Sequence, residues 1–144
     1  LILHETQADR RTEARIVEAV AAKHGFGTAF CSKAYPVDSM FMRGRRPVCF
    51  VEARRRNNAK DKYPTFMWSL QKFIHAKQFA EVLPTVLLVE WEDGIFSHRI
   101  NGEHYEISYV NRTGTTGRTS ADNEPVIEIP TDKFKEEIPR EYSW

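Results

Sequence analysis

The run PVCFVEARRRN, Pro47 to Asn57, decides how this chain is read. Its first half is dense in apolar, β-prone residues and reads as a buried strand. Near the end of that strand stands one carboxylate, Glu52, followed by three consecutive arginines. Period-two alternation puts Val48, Phe50, Glu52 and Arg54 on one face and Cys49, Val51 and Ala53 on the other. An acid and a base that leave a buried strand on the same side need partners, and the flanking segments supply them.

Upstream, VDSMFM reads as a strand whose alternation aligns Asp38 with Met40 and Met42. The tetrad RGRR, Arg43 to Arg46, makes a tight turn, so the two strands pair as a hairpin and bring Asp38 towards Glu52. Two unpaired carboxylates at close range repel, and each resists ionising. A divalent cation removes that penalty. Mg²⁺ takes carboxylate oxygens, keeps several waters and is commonly completed by substrate phosphates, with Mn²⁺ able to substitute. The chemistry indicated is phosphodiester hydrolysis, with a metal to acidify water and to stabilise charge on the phosphorus oxygens. A third acid joins this pair. In the helix read from Thr6 to His24, Glu13 lies about 60° from Ile16 and about 40° from Val17, on the apolar side.

The charge distribution agrees. Between Arg43 and Lys62 eight basic residues (Arg43, Arg45, Arg46, Arg54, Arg55, Arg56, Lys60, Lys62) face two acids, a local excess of +6 in a chain of net charge +1. From Ala121 onward seven acids face three bases. Clustered arginine and lysine raise the local anion concentration whatever the global charge, so a polyanionic partner such as a nucleic acid is expected. Arg43, Arg45, Arg46, Arg55, Arg56, Lys60, Lys62 and Lys72 are the candidate backbone contacts.

The 144 residues are read as one domain, large enough to bury a core. After the first helix come the strands GFGTAFCSKAY and VDSMFM, the hairpin into PVCFVEAR, and a polar loop. Pro64 then opens a long helix over PTFMWSLQKFIHAKQFAEV, with Phe66, Met67, Leu70, Phe73, Ile74 and Ala80 along one side. TVLLVEW and IFSHRI follow as strands joined at Asp93-Gly94. Strand, helix and strand imply a right-handed crossover between parallel strands. In the tail, GEHYEISYV is an edge strand, NRTGTTGRTSADNE a polar loop, and PVIEIPTDKFKEEI a short strand with a terminal helical turn. No apolar run approaches the roughly 20 residues needed to span a bilayer, and no secretory signal is visible in LILHETQADRR. Cys31 and Cys49 lack metal or redox spacing and read as buried thiols of a cytoplasmic protein. His4, His24, His98 and His104 form no metal spacing and are assigned surface or capping roles.

Helix glutamate (Glu13), strand aspartate (Asp38), then Glu52-Ala53-Arg54 on the next strand, followed by a helix and another apolar strand: this order resembles the PD-(D/E)xK nuclease superfamily, which includes restriction endonucleases and Holliday-junction resolvases. The resemblance covers about Asp9 to Trp91, with 92–144 as a C-terminal extension. It implies an α/β fold, a restriction endonuclease-like core with a mixed central β-sheet flanked by helices. It also implies that Asp38, Glu52 and the backbone carbonyl of Ala53 hold the metal, that Glu13 supports it, and that Gln71 lies near the scissile phosphate. Small nucleases of this kind often work as homodimers, and a compact chain without an added recognition module favours structure-selective, resolvase-like cutting. Two departures stand out. Proline precedes Asp38 by two positions, in Pro36-Val37-Asp38, and Arg54 stands where lysine is usual. Lysine can shift its pKa and shuttle a proton, whereas arginine stays charged, so Lys60 or Lys72 must reach in or the metal must do more. The competing reading is a catalytically degenerate nucleic-acid-binding or assembly module on the same fold, which Arg54 favours.

Overall fold

A computed structural model of the chain describes residues 7–110 and 124–140. Helix α1 (Gln7–His24) ends at Gly25, whose φ of +75° suits a residue without Cβ. Strands β1 (Gly27–Phe30), β2 (Ser39–Arg43) and β3 (Arg46–Arg55) form the expected meander, and Gly44 turns the β2–β3 hairpin at φ +61°. A short 3-10 turn (Lys60–Lys62) leads to β4 (Thr65–Ser69), α2 (Leu70–Ala80), β5 (Thr85–Trp91) and β6 (Gly94–Ile100). Strands β7 (Glu106–Val110), β8 (Glu124–Pro130) and β9 (Lys135–Pro139) complete the described chain.

The large sheet has the order β1-β2-β3-β5-β6-β9. Only β3 and β5 run parallel, with Glu52 opposite Leu87 and Arg55 opposite Glu90, so the sheet is mixed as expected. Helix α1 covers one face: Ile16, Val17, Val20 and Ala21 pack with Phe41, Val51, Ala53, Leu88 and Ile95. The other face is covered by α2 and a second sheet, β4-β8-β7, around Phe66, Trp68, Phe73, Leu87, Trp91, Ile127 and Phe134. Both cores share β5, which turns Leu87 and Val89 one way and Leu88 the other.

Two expected elements are corrected. The helix expected from Pro64 begins only at Leu70, because Thr65–Ser69 is strand β4 paired antiparallel with β8. Phe66 and Trp68 are buried while Met67 is 46% exposed, a period of two rather than 3.6. Aromatic residues favour a pleated surface, and Ser69 then caps α2 by accepting from the Lys72 N–H. Ile74, expected on the inner side of that helix, is 46% exposed. The terminal helical turn is instead strand β9, held on the edge of the large sheet by β6. Gly94 permits that contact, since a Cβ there would lie 2.5 Å from the Ile138 carbonyl oxygen. Residues 111–123 of the expected polar loop, and His4, lie outside the described residues. His98 is buried, with its ring bonded to the Tyr105 hydroxyl, rather than a surface residue. No helix among the described residues is long and apolar enough to cross a membrane.

Candidate active site

Asp38 immediately precedes β2, and the pairing of Ser39 with Val51 sets it beside Glu52 on β3. Its carboxylate is anchored there: Oδ2 accepts from the Ala53 N–H at 3.2 Å and from Arg54 Nη1 at 3.0 Å. Arg54 Nη1 also donates to the Ala53 carbonyl at 2.6 Å, and it lies 3.6 Å from Glu52 Oε2 and 4.0 Å from Glu13 Oε2. From the first turn of α2, Lys72 Nζ comes within 3.6 Å of Glu52 Oε1 and 3.9 Å of Asp38 Oδ1. Glu13, Asp38, Glu52, Arg54 and Lys72 therefore meet at one point, from α1, the start of β2, β3 and α2.

The two central acids are held in opposite ways. Glu52 is 1% exposed, and neither of its carboxyl oxygens has a hydrogen-bond partner among the described residues. Burial, reinforced by the adjacent Asp38 carboxyl, raises its pKa well above the ordinary carboxylate range, despite the pull of Arg54 and Lys72. Burial acts on Asp38 in the same direction, but the Glu52 carboxyl, Arg54, Lys72 and the Ala53 N–H together outweigh it and hold Asp38 below its usual value.

Among the described residues no three His, Cys, Asp or Glu side chains are assembled closely enough to hold a metal by themselves. The donor set nevertheless fits Mg²⁺, which needs only one or two carboxylates beside water and phosphate. Asp38, Glu52 and the Ala53 carbonyl offer hard oxygens at one point, and the two oxygens of Glu52 are buried with no hydrogen bond, met only by the Arg54 and Lys72 charges at 3.6 Å.

The cluster opens on a cavity of about 480 Å³ lined by Glu13, Asp38, Ala53, Arg54 and Lys72. Arg10, Arg11 and Lys33 also line it, as do the rings of Phe30 and Tyr35, which are 50% and 47% exposed. Sequence reasoning missed these. Arg10 carried a legible signal, since it stands three residues before Glu13 and shares its side of α1.

The remaining candidate residues lie elsewhere. Gln71 is exposed on α2, and its neighbour Lys72 lines the cavity in its place. Of the two lysines expected to reach in, Lys72 does so, whereas Lys60 lies over the Phe96 ring and its N–H donates to Asp93. Arg55 leaves β3 on the opposite face and, with Arg15, neutralises the buried Glu90 at 2.5 and 2.7 Å. Arg56 stacks on Phe66 and donates to the Met67 carbonyl, and Lys62 lies over Tyr63. Arg43, Arg45 and Arg46 sit at the β2–β3 turn, the opposite end of β3 from Glu52 and Arg54, with Arg43 over Phe26.

The fold is similar to that of Hjc, a Holliday junction resolvase from the archaeal hyperthermophile Archaeoglobus fulgidus, with a TM-score of 0.50 and 13% identity over 82% of this chain and 87% of that one. No curated protein sequence matches it. A family model described as "Phage putative PDDEXK endonuclease" matches residues 3–137 and thus takes in both helices, every residue of the cluster and every strand but the end of β9. The chain belongs to this PDDEXK endonuclease family.

Proposed function

We propose that this chain is a metal-dependent endonuclease that hydrolyses phosphodiester bonds in DNA and selects its substrate by structure, as a resolvase does. The observation that carries the reading is Glu52: a fully buried carboxyl without a hydrogen bond, next to Asp38 and Ala53, which themselves line a cation-rimmed cavity. Such a group is costly to the fold even with Arg54 and Lys72 at 3.6 Å, because neither hydrogen-bonds it, and destabilised arrangements of this kind gather at functional sites.

In this reading Asp38, Glu52 and the Ala53 carbonyl would hold a divalent ion, Mg²⁺ or Mn²⁺, and Glu13 would support it. The bound ion supplies an acidified water and neutralises charge on the phosphorus oxygens. Lys72 takes the place of the lysine that Arg54 replaces: its ammonium, a compact charge on a flexible stem 3.6 Å from Glu52, is placed to orient the attacking water and to stabilise charge on the phosphate. Arg54 stabilises negative charge as it grows on the phosphate. Arg10, Arg11 and Lys33 meet backbone phosphates on the cavity rim, and Phe30 and Tyr35 offer stacking surfaces to unpaired bases. The basic residues of the β2–β3 turn, with Lys60 and Lys62, form a more distant set of contacts. Paired cuts across a junction need two sites, so the working form is a homodimer.

The test is cleavage of labelled duplex, single-stranded and four-way-junction DNA in Mg²⁺, Mn²⁺ or EDTA by the native chain and by Glu52→Gln. Metal-dependent cutting, strongest on the junction and lost in the variant, supports the proposal. Binding without cutting under every metal condition refutes it in favour of a degenerate binding module.

A further inference from the structure

Arg54 is more than a substitute for lysine, because of where its guanidinium sits. A single nitrogen, Nη1, lies 3.0 Å from Asp38 Oδ2, 2.6 Å from the Ala53 carbonyl, 3.6 Å from Glu52 Oε2 and 4.0 Å from Glu13 Oε2. These are the oxygens that the nuclease reading assigns to the metal and its waters. Two cations cannot share one centre. We propose that Arg54 is the resident cation of the metal-free site, that it must withdraw for a divalent ion to enter, and that the substrate phosphate is what it withdraws to.

The charge balance favours such coupling. With all groups ionised, Glu13, Asp38 and Glu52 against Arg54 and Lys72 leave the cluster one negative charge. A divalent ion turns that into one positive charge, which a single phosphodiester neutralises. Metal and phosphate therefore each improve the site for the other. Arginine suits the exchange better than lysine would: it cannot leave by losing its proton, so its charge must find a new anion, and its planar fork matches the oxygens of a phosphate. Its side chain is 20% exposed and borders the cavity, which gives it a direction in which to move. While it stays, it holds the acids together against their mutual repulsion; without it a buried Glu52 would face Asp38 with only Lys72 beside them.

This inference rests on the nuclease reading and is separable from it. The measurement is Mn²⁺ binding, followed by the free-ion electron paramagnetic resonance signal. The native chain, Arg54→Ala, Arg54→Met and Glu52→Gln are compared, each without DNA and with a hydrolysis-resistant phosphorothioate oligonucleotide. Arg54→Met keeps the packing of the aliphatic stem should the alanine variant fold poorly. The native chain is expected to bind Mn²⁺ weakly alone and about tenfold or more tightly with the oligonucleotide, a typical size for coupling between sites. Both Arg54 variants are expected to bind Mn²⁺ about tenfold or more tightly than the native chain without DNA and to lose most of the coupling. Equal or weaker Mn²⁺ binding by both folded Arg54 variants overturns the proposal, and if Glu52→Gln still abolishes binding the nuclease reading survives. Mn²⁺ binding by none of the chains, or binding indifferent to Glu52→Gln, overturns the metal site itself.

Discussion

Replacing Glu52 by glutamine removes the charge from a buried carboxyl while keeping its shape, so it separates what this residue does to the fold from what it does for the metal. In the native chain both oxygens are buried without a hydrogen bond, a burden of about 1–3 kcal/mol for an unsatisfied group. Arg54 and Lys72, each 3.6 Å away, offset part of it. The variant is therefore expected to be more stable than the native chain in EDTA at pH 7–8, by about 1–2 kcal/mol, or about 3–8 °C in Tm for a chain of this size. The pH dependence follows from the direction of the shift. Glu52 has a folded pKa above its unfolded one, so the folded state holds the proton longer and stability falls as pH rises from the ordinary carboxylate range to the raised folded value. The gap between the two proteins should be absent below about pH 4 and widen above it. Asp38, depressed in the fold, acts the other way and loses its contribution only as pH falls through its lowered value. Saturating Mn²⁺ should reverse the order, stabilising the native chain by about 2.7 kcal/mol at a hundredfold excess over Kd and leaving the variant unmoved. Urea unfolding followed by circular dichroism from pH 4 to 9, in EDTA and in Mn²⁺, measures all of this. A glutamine variant less stable than the native chain in EDTA at pH 8 refutes the argument from burial.

Lys72→Met should lower the cleavage rate about 10²–10³-fold, the range for loss of one positioned charge-stabilising donor, while oligonucleotide affinity in EDTA falls far less; single-turnover kinetics beside a binding titration checks it. Paired substitution Arg10→Ala with Arg11→Ala should weaken DNA binding and reduce the slope of log affinity against log salt by about one per lost contact, more than the pair Arg45→Ala with Arg46→Ala at the far end of β3. Phe30→Ala with Tyr35→Ala should cost single-stranded and junction binding about 1–3 kcal/mol per lost stack, with duplex affinity nearly unchanged in the same fluorescence titration. Gly94→Ala should destabilise the chain by about 2 kcal/mol or more, read by thermal unfolding, because its φ is +144° and the added methyl carbon would stand 2.5 Å from the Ile138 carbonyl oxygen, which leaves no room between β6 and β9.

Much of the site was legible because its residues lie on elements whose period is local. The alternation of PVCFVEAR sent Glu52 and Arg54 to one face, Gly44 made the hairpin that carries Asp38 to Glu52, and the helical period of α1 turned Glu13 inward. Pairing partners between distant segments were not legible. TFMWS reads equally as a helical turn or a strand in isolation, and β8, some 60 residues on, settles it. β9 is strand for the same reason, an edge completed by β6.

The arginine run shows the same division. Sequence alone determined that Arg54 accompanies the acids, since both follow from a period of two within one strand. Whether Arg55, Arg56 and Lys60 face the cavity depended on what the tertiary structure set against them: the buried Glu90 across the parallel pairing, the Phe66 ring of a strand that pattern reading had made helix, and Phe96 on β6. Local chain geometry is encoded within a few residues, but a charged side chain goes to whichever anion or ring folding brings nearest, and that choice exists only once distant segments have met.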